Sequence, residues 1–121
     1  MVLPSLLLCC LLFALSSSAL VKVDNATLPT ALDSTYSVQS SGAVIVSSSQ
    51  PGQVATLTGD DTFPLLAIAA RNVTIVDVRF EHGWSNSSGG CVSVFDVSTL
   101  TLVNVVFSHC VSATTGGGIN V

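Results

Sequence analysis

The sequence predicts an all-β chain folded as a right-handed parallel β-helix, and three observations predict it. First, 23 residues recur without a gap at an offset of 27: NVTIVDVRFEHGWSNSSGGCVSV (Asn72 to Val94) falls on TLTLVNVVFSHCVSATTGGGINV (Thr99 to Val121) with nine identities. Second, the apolar residues of each copy come in short alternating runs, the period of a strand and not of a helix. Third, beyond an apolar N-terminus the chain is rich in Ser, Thr, Val and Gly and poor in Lys and Glu, which suits strands and turns. One such unit cannot bury its apolar face alone. Stacked on a copy of itself it can, because equivalent side chains then pile up about 4.8 Å apart. An antiparallel sandwich offers no reason for an ungapped echo.

Taken in order, the chain opens with LLLCCLLFAL (Leu6 to Leu15) followed by SSSA. This is the layout of a secretory signal peptide, residues 1–19, cleaved after Ala19. An uncleaved signal anchor is the rival reading, since no charge appears before Lys22, but the run is shorter than the ~20 residues a spanning helix needs. Residues 20–40 form an N-terminal segment expected to cap the first coil, and 41–121 form the repeats. Within these, AVIVSSS and GQVATLTGDD hold two strand-like runs in loose register. PLLAIAARNVTI (Pro64 to Ile75) continues the 27-residue register onto CVSVFDVSTLTL (Cys91 to Leu102) in hydrophobic character alone. Two clear coils then follow irregular N-terminal ones.

In the first clear copy Val73 and Ile75 alternate, Asp77 shifts the phase, and Val78 and Phe80 alternate again. The second repeats this with Leu100, Leu102, Asn104, Val105 and Phe107. Asp and Asn tolerate the left-handed backbone of a sharp corner. Val73 is therefore expected under Leu100, Ile75 under Leu102, Val78 under Val105, Phe80 under Phe107, and Val92 and Val94 under Ile119 and Val121. The last repeat is incomplete at Val121, so the chain reads as the N-terminal piece of a longer repeat protein, truncated at its C-terminus.

The tetrapeptides GGCV (Gly89 to Val92) and GGGI (Gly116 to Ile119), each after a Phe-led FEHG or FSHC, carry a resemblance. They resemble the repeat of polymorphic outer-membrane proteins, right-handed β-helix surface proteins of the pectin-lyase-like superfamily, with Gly-Gly-Ala-aliphatic and Phe-x-x-Asn motifs. Here Cys91 or Gly118 replaces the Ala, and Gly83 or Cys110 the Asn. The likeness covers about 50 residues and implies the fold and a surface setting. The wider superfamily includes polysaccharide lyases and hydrolases.

The chain carries a net charge of −4 with three basic residues, Lys22, Arg71 and Arg79. That is too few for a nucleic-acid footprint, so no nucleic-acid partner is expected. His82 and His109 share one phase, with Glu81 and Cys110 nearby, and His and Cys are ligands for zinc or copper. No third His and no CxxC spacing accompanies them, so solvent-facing turn residues explain them with less. Asp60 and Asp61 are the only adjacent acids, of the type glycoside hydrolysis uses. Acids of a β-helix active site should stack, yet Ser87, Ser88 and Asn104 lie 27 residues beyond Asp60, Asp61 and Asp77. The glycine pairs are followed by no Lys-Ser/Thr, and there is no G-x-S-x-G. No catalytic residue, metal or cofactor is expected in these residues.

The sequons Asn25-Ala-Thr, Asn72-Val-Thr and Asn86-Ser-Ser mark Asn25, Asn86 and Asn72 as glycosylation sites of a glycoprotein, Asn72 being less apt because it opens a strand. Cys91 and Cys110 are the thiols outside the leader, where Cys9 and Cys10 lie. Secretion would permit them to pair, if their Cα atoms come within ~7 Å. Together these features predict a secreted or cell-surface scaffold, extracellular and not an enzyme, that is structural, adhesive or glycan-binding. Its partner would be an extracellular glycan or protein. A membrane would be met only through an uncleaved signal or a C-terminal anchor further along the chain. The alternative is the front of a pectin-lyase-like polysaccharide-degrading enzyme whose active site lies in further coils.

Overall fold

The computed structural model describes residues 18–23, 31–50 and 52–121. The strands are β1 (Ser18–Val23), β2 (Tyr36–Gln39), β3 (Ala43–Ser48), β4 (Ala55–Thr58), β5 (Leu66–Ala69), β6 (Asn72–Ser85), β7 (Val92–Phe95), β8 (Thr99–Ser112) and β9 (Ile119–Asn120). Every pairing is parallel. One sheet runs β1-β3-β6 with β4 also on β6 and β8 on its other side, and the second runs β2-β5-β7-β9. The result is a β-solenoid of about three turns. No described residue is helical, so no helix there is long and apolar enough to cross a membrane. Most of the expected signal peptide lies outside the described residues. The strand β1 begins two residues before the expected cut, with Ser18 and Ala19 opposite Ala43 and Val44. Within 20–40, Leu20 to Val23 belong to β1 and Tyr36 to Gln39 form β2, the first strands of the two sheets.

The core is a set of columns, because parallel stacking puts like positions on top of one another. Val44, Val73 and Leu100 make one column, and Val46, Ile75 and Leu102 another. Leu57, Phe80 and Phe107 make a third, in which the two phenyl rings lie stacked with centroids 5.3 Å apart. Val78 lies against Val105, and Val92 against Ile119. Val44, Val46, Leu57, Ile75, Val78, Phe80 and Val92 are fully buried. Each such side chain contributes roughly 1.5–3 kcal/mol by leaving water.

Corners arise where the sequence places residues that accept positive φ. Asp77 (φ 57°) and Asn104 (φ 54°) turn the long strands β6 and β8, and the Asn104 amide donates to the Asp77 carboxylate at 2.8 Å. A second corner falls at His82 (φ 60°) and His109 (φ 53°), stacked on Asp61 (φ 67°) of the coil before. The two histidines are thus turn residues, as expected, and His is among the residues enriched in this conformation.

The register upstream of Asn72 differs from the sequence expectation by one residue. Leu66 pairs with Val92, Ile68 with Val94 and Ala69 with Phe95, an offset of 26. At the corner that follows, Asp96 (φ 58°) is an extra residue that restores 27 at Asn72 and Thr99. A one-residue slip would turn the side chains of β5 to the wrong face. Burial decides the matter, since Ile68 and Val94 both point into the core. Earlier still, Ala43 pairs with Asn72 and Ala55 with Val78, because residues 48–54 stand where later coils need only Asp77 or Asn104.

Cys91 and Cys110 are joined in a disulfide with Cα atoms 5.3 Å apart. The bond runs from the start of β7 to β8 in the next coil, and it explains one substitution between copies. Cys110 lies against Gly83, and a Cβ built on Gly83 would come 2.8 Å from the Cys91 sulfur and 2.2 Å from the Gly90 carbonyl. One coil therefore carries Gly where the next carries Cys.

Candidate functional site: the outer face of the second sheet

In a strand, alternate residues point out, and in the first three strands of the second sheet these are Ser37 and Gln39 of β2, Ala67 and Ala69 of β5, and Ser93 and Phe95 of β7. The two alanines lie on the middle of the three strands. Their methyl groups leave a trough between Gln39 on one side and Phe95 on the other, and Ser37, Gln39, Ala67, Ala69 and Phe95 line one hollow. Phe95 keeps half its surface in contact with solvent. It sits beside the core and not in it, because Val94 has taken the inward position.

At the corner end the trough deepens into a cleft of about 470 Å³ lined by Gln39, Ser40, Ala69, Arg71, Asp96 and Ser98. Backbone bonds fix this corner. Arg71 and Asn72 N–H both donate to Gly42 carbonyl at 3.1 Å, and Ser98 and Thr99 N–H donate to Arg71 carbonyl at 2.7 and 3.1 Å. Arg71 and Asp96 are both exposed, and neither takes part in the ion pairs formed among the described residues. The cleft thus offers a guanidinium, a carboxylate, a carboxamide and hydroxyls next to an apolar floor. That combination presents both donors and acceptors to a ligand with a polar edge and an apolar face.

At its other end the trough opens into a groove of Phe63, Pro64, Trp84, Asn86, Ser93 and Phe95. Of the three sequons, Asn86 is exposed in the turn that ends β6, while Asn72 is the first residue of β6 and is held in the ladder by its N–H. Asn25 lies outside the described residues.

The histidine corner is the second place where chemistry-bearing groups meet. The rings of His82 and His109 stack with centroids 4.9 Å apart. His82 Nδ1 faces both oxygens of Asp61 at 3.3 Å, and His109 Nδ1 lies 2.9 Å from Ser108 Oγ. A metal needs lone pairs that converge on one point, whereas stacked rings direct theirs along parallel planes. Among the described residues no three His, Cys, Asp or Glu side chains are placed to hold a metal. Beside this corner Arg79 Nε donates to Glu81 Oε2 at 2.5 Å, and that bond holds the Glu81 carboxyl below the usual carboxylate range. The pair stabilises the coil at neutral pH and fades as pH falls through the lowered value. Water around it keeps the effect small.

The acids do not gather. Asp60 receives the Thr62 hydroxyl, Asp61 meets His82, Asp77 meets Asn104, and Asp96 stands in the cleft. The contact between Asp61 and His82, 21 residues apart, was not legible at the 27-residue offset. The trough was missed as well, because its floor depends on the slipped register of β5. No family model, curated protein or solved structure matches this chain.

Proposed function

We propose that the chain is part of a secreted or cell-surface, non-catalytic scaffold whose second sheet takes up an extracellular glycan. One observation carries this reading: the alanine-floored trough that joins an exposed phenyl ring to the Arg71–Asp96 cleft. A sugar ring has an apolar face of C–H groups and an edge of hydroxyls. Phe95 suits the face, while Gln39, Arg71, Asp96 and Ser98 suit the edge. Strands 4.8 Å apart carry these groups on a rigid frame, so little order is lost on binding. The resemblance to outer-membrane surface repeats and the leader-like N-terminus support the extracellular setting.

A polysaccharide-degrading protein is the second reading, favoured by the presence of an arginine and an aspartate in one cleft. Both readings are tested by sedimenting the secreted chain with insoluble plant, fungal and animal matrix polysaccharides. Binding to at least one, with no reducing or unsaturated ends released, is the expected result. Phe95→Ser and the Arg71→Ala/Asp96→Asn pair should leave the chain in the supernatant while preserving its melting temperature. Release of sugar ends would favour the enzyme. Failure to bind any polysaccharide would remove the glycan reading.

A further inference from the structure

The groove at the Trp84 end of the trough stands beside a sequon, and the two occur together. Trp84, the chain's single tryptophan, points outward from β6 and keeps 38% of its surface exposed. Two residues on, Asn86 is exposed at the rim of the groove formed with Phe63, Pro64 and Phe95. The Trp84 N–H donates to the Phe63 carbonyl at 3.0 Å, which seats the phenyl-bearing loop next to the indole-bearing strand. The turn carrying Asn86 is itself held. Ser87 N–H donates to Ser85 Oγ at 3.2 Å, and Thr114 N–H donates to the Ser87 carbonyl at 3.0 Å.

The repeat supplies the control. In the next coil Val111 lies against Trp84, and Ala113 stands at the position of Asn86. The aromatic ring and the sequon are therefore present together in one coil and absent together from its copy. An outward tryptophan contributes nothing to the core columns, and covering its exposed ring removes apolar surface from water. A sugar attached two residues away has a C–H face that can cover the indole without the loss of translational freedom that a free sugar would suffer.

We propose that Asn86 carries an N-linked glycan whose first sugar packs on Trp84 and the neighbouring Phe63, so that this groove is the bed of the chain's own glycan. The modification forms a bond from Asn86 Nδ2 to the sugar's C1 as the C1–O bond to the donor's lipid pyrophosphate breaks, and one Nδ2 proton is released to solvent with the pyrophosphate. The inference does not depend on glycan binding at the Arg71–Asp96 cleft, and its experiment does not measure that binding.

The test is secretion of the full chain from a eukaryotic host, with Ser88→Ala to abolish the sequon and Ser88→Thr to keep it, each with and without Trp84→Ser. Intact mass should show a glycan at Asn86 in the wild type and in S88T, and none there in S88A. Loss of the glycan should shift Trp84 fluorescence to longer wavelength and raise its quenching by acrylamide. It should also lower the melting temperature by about 4 °C or more. In the W84S background the same loss should leave the melting temperature unchanged. The proposal is overturned if Asn86 is unmodified, or if S88A leaves indole quenching and melting as in S88T. Equal loss of stability with and without Trp84 would overturn it too.

Discussion

Phe80→Ala lowers the unfolding free energy by about 3–5 kcal/mol in urea titrations. Phe80 is fully buried between Leu57 and Phe107 in the column at the centre of the solenoid, so its removal leaves a void that three coils border. Backbone pairing above and below prevents those coils from collapsing inward. Against a total stability of about 5–15 kcal/mol the loss is large enough to unfold much of the chain at body temperature. Phe107→Ala should cost distinctly less, because its ring is only half-buried. If the two substitutions cost the same, Phe107 is covered in solution by something beyond these coils.

Replacing Cys91 and Cys110 together by alanine is expected to cost about 3 kcal/mol, from the freedom an unbridged loop regains on unfolding. The bridge closes a separation of 19 residues and ties β7 to β8 across two coils. Intact mass before and after reduction, with alkylation of free thiols, reports the bond directly. Urea titration reports its weight. Two freely alkylating thiols in the unreduced native chain, or a midpoint unmoved by the double replacement, would contradict this assignment. Replacing Cys110 alone should be worse than the pair per residue changed, since it leaves the fully buried Cys91 as an unpaired thiol.

The core was legible because it rests on identity of position. Phe80 and Phe107, Ile75 and Leu102, and Val78 and Val105 meet at the offset the sequence displays. The corners at Asp77 and Asn104 were legible for the same reason, since an interruption of the alternation has to be a bend. The histidine corner was legible only as a pair of turn residues, His82 after Phe80 and His109 after Phe107, and the positive φ of each appears only in the backbone.

Surface chemistry was less legible than burial, and the second sheet shows why. Aligning Ile68 with Phe95 preserves hydrophobic character, so the 27-residue offset looked sound there. The structure instead sets Ala69 against Phe95 and adds Asp96 as a corner residue. This one-residue difference puts an aromatic ring, two alanines and the Asp96 carboxylate on the same outer face. Residues that pack on copies of themselves repeat visibly. Surface residues need not, and Arg71, Trp84 and Asn86 have Ser98, Val111 and Ala113 as their counterparts.

The most direct test of the account is to locate a bound oligosaccharide on the surface. The isotope-labelled chain would be titrated by NMR with soluble fragments of whichever polysaccharide it sediments with. Saturable shifts concentrated at Gln39, Ala67, Ala69, Arg71, Phe95 and Asp96 are the predicted result. Shifts centred on the His82–His109 corner, or spread over the molecule without saturation, would contradict the assignment of the second sheet as the glycan-binding face.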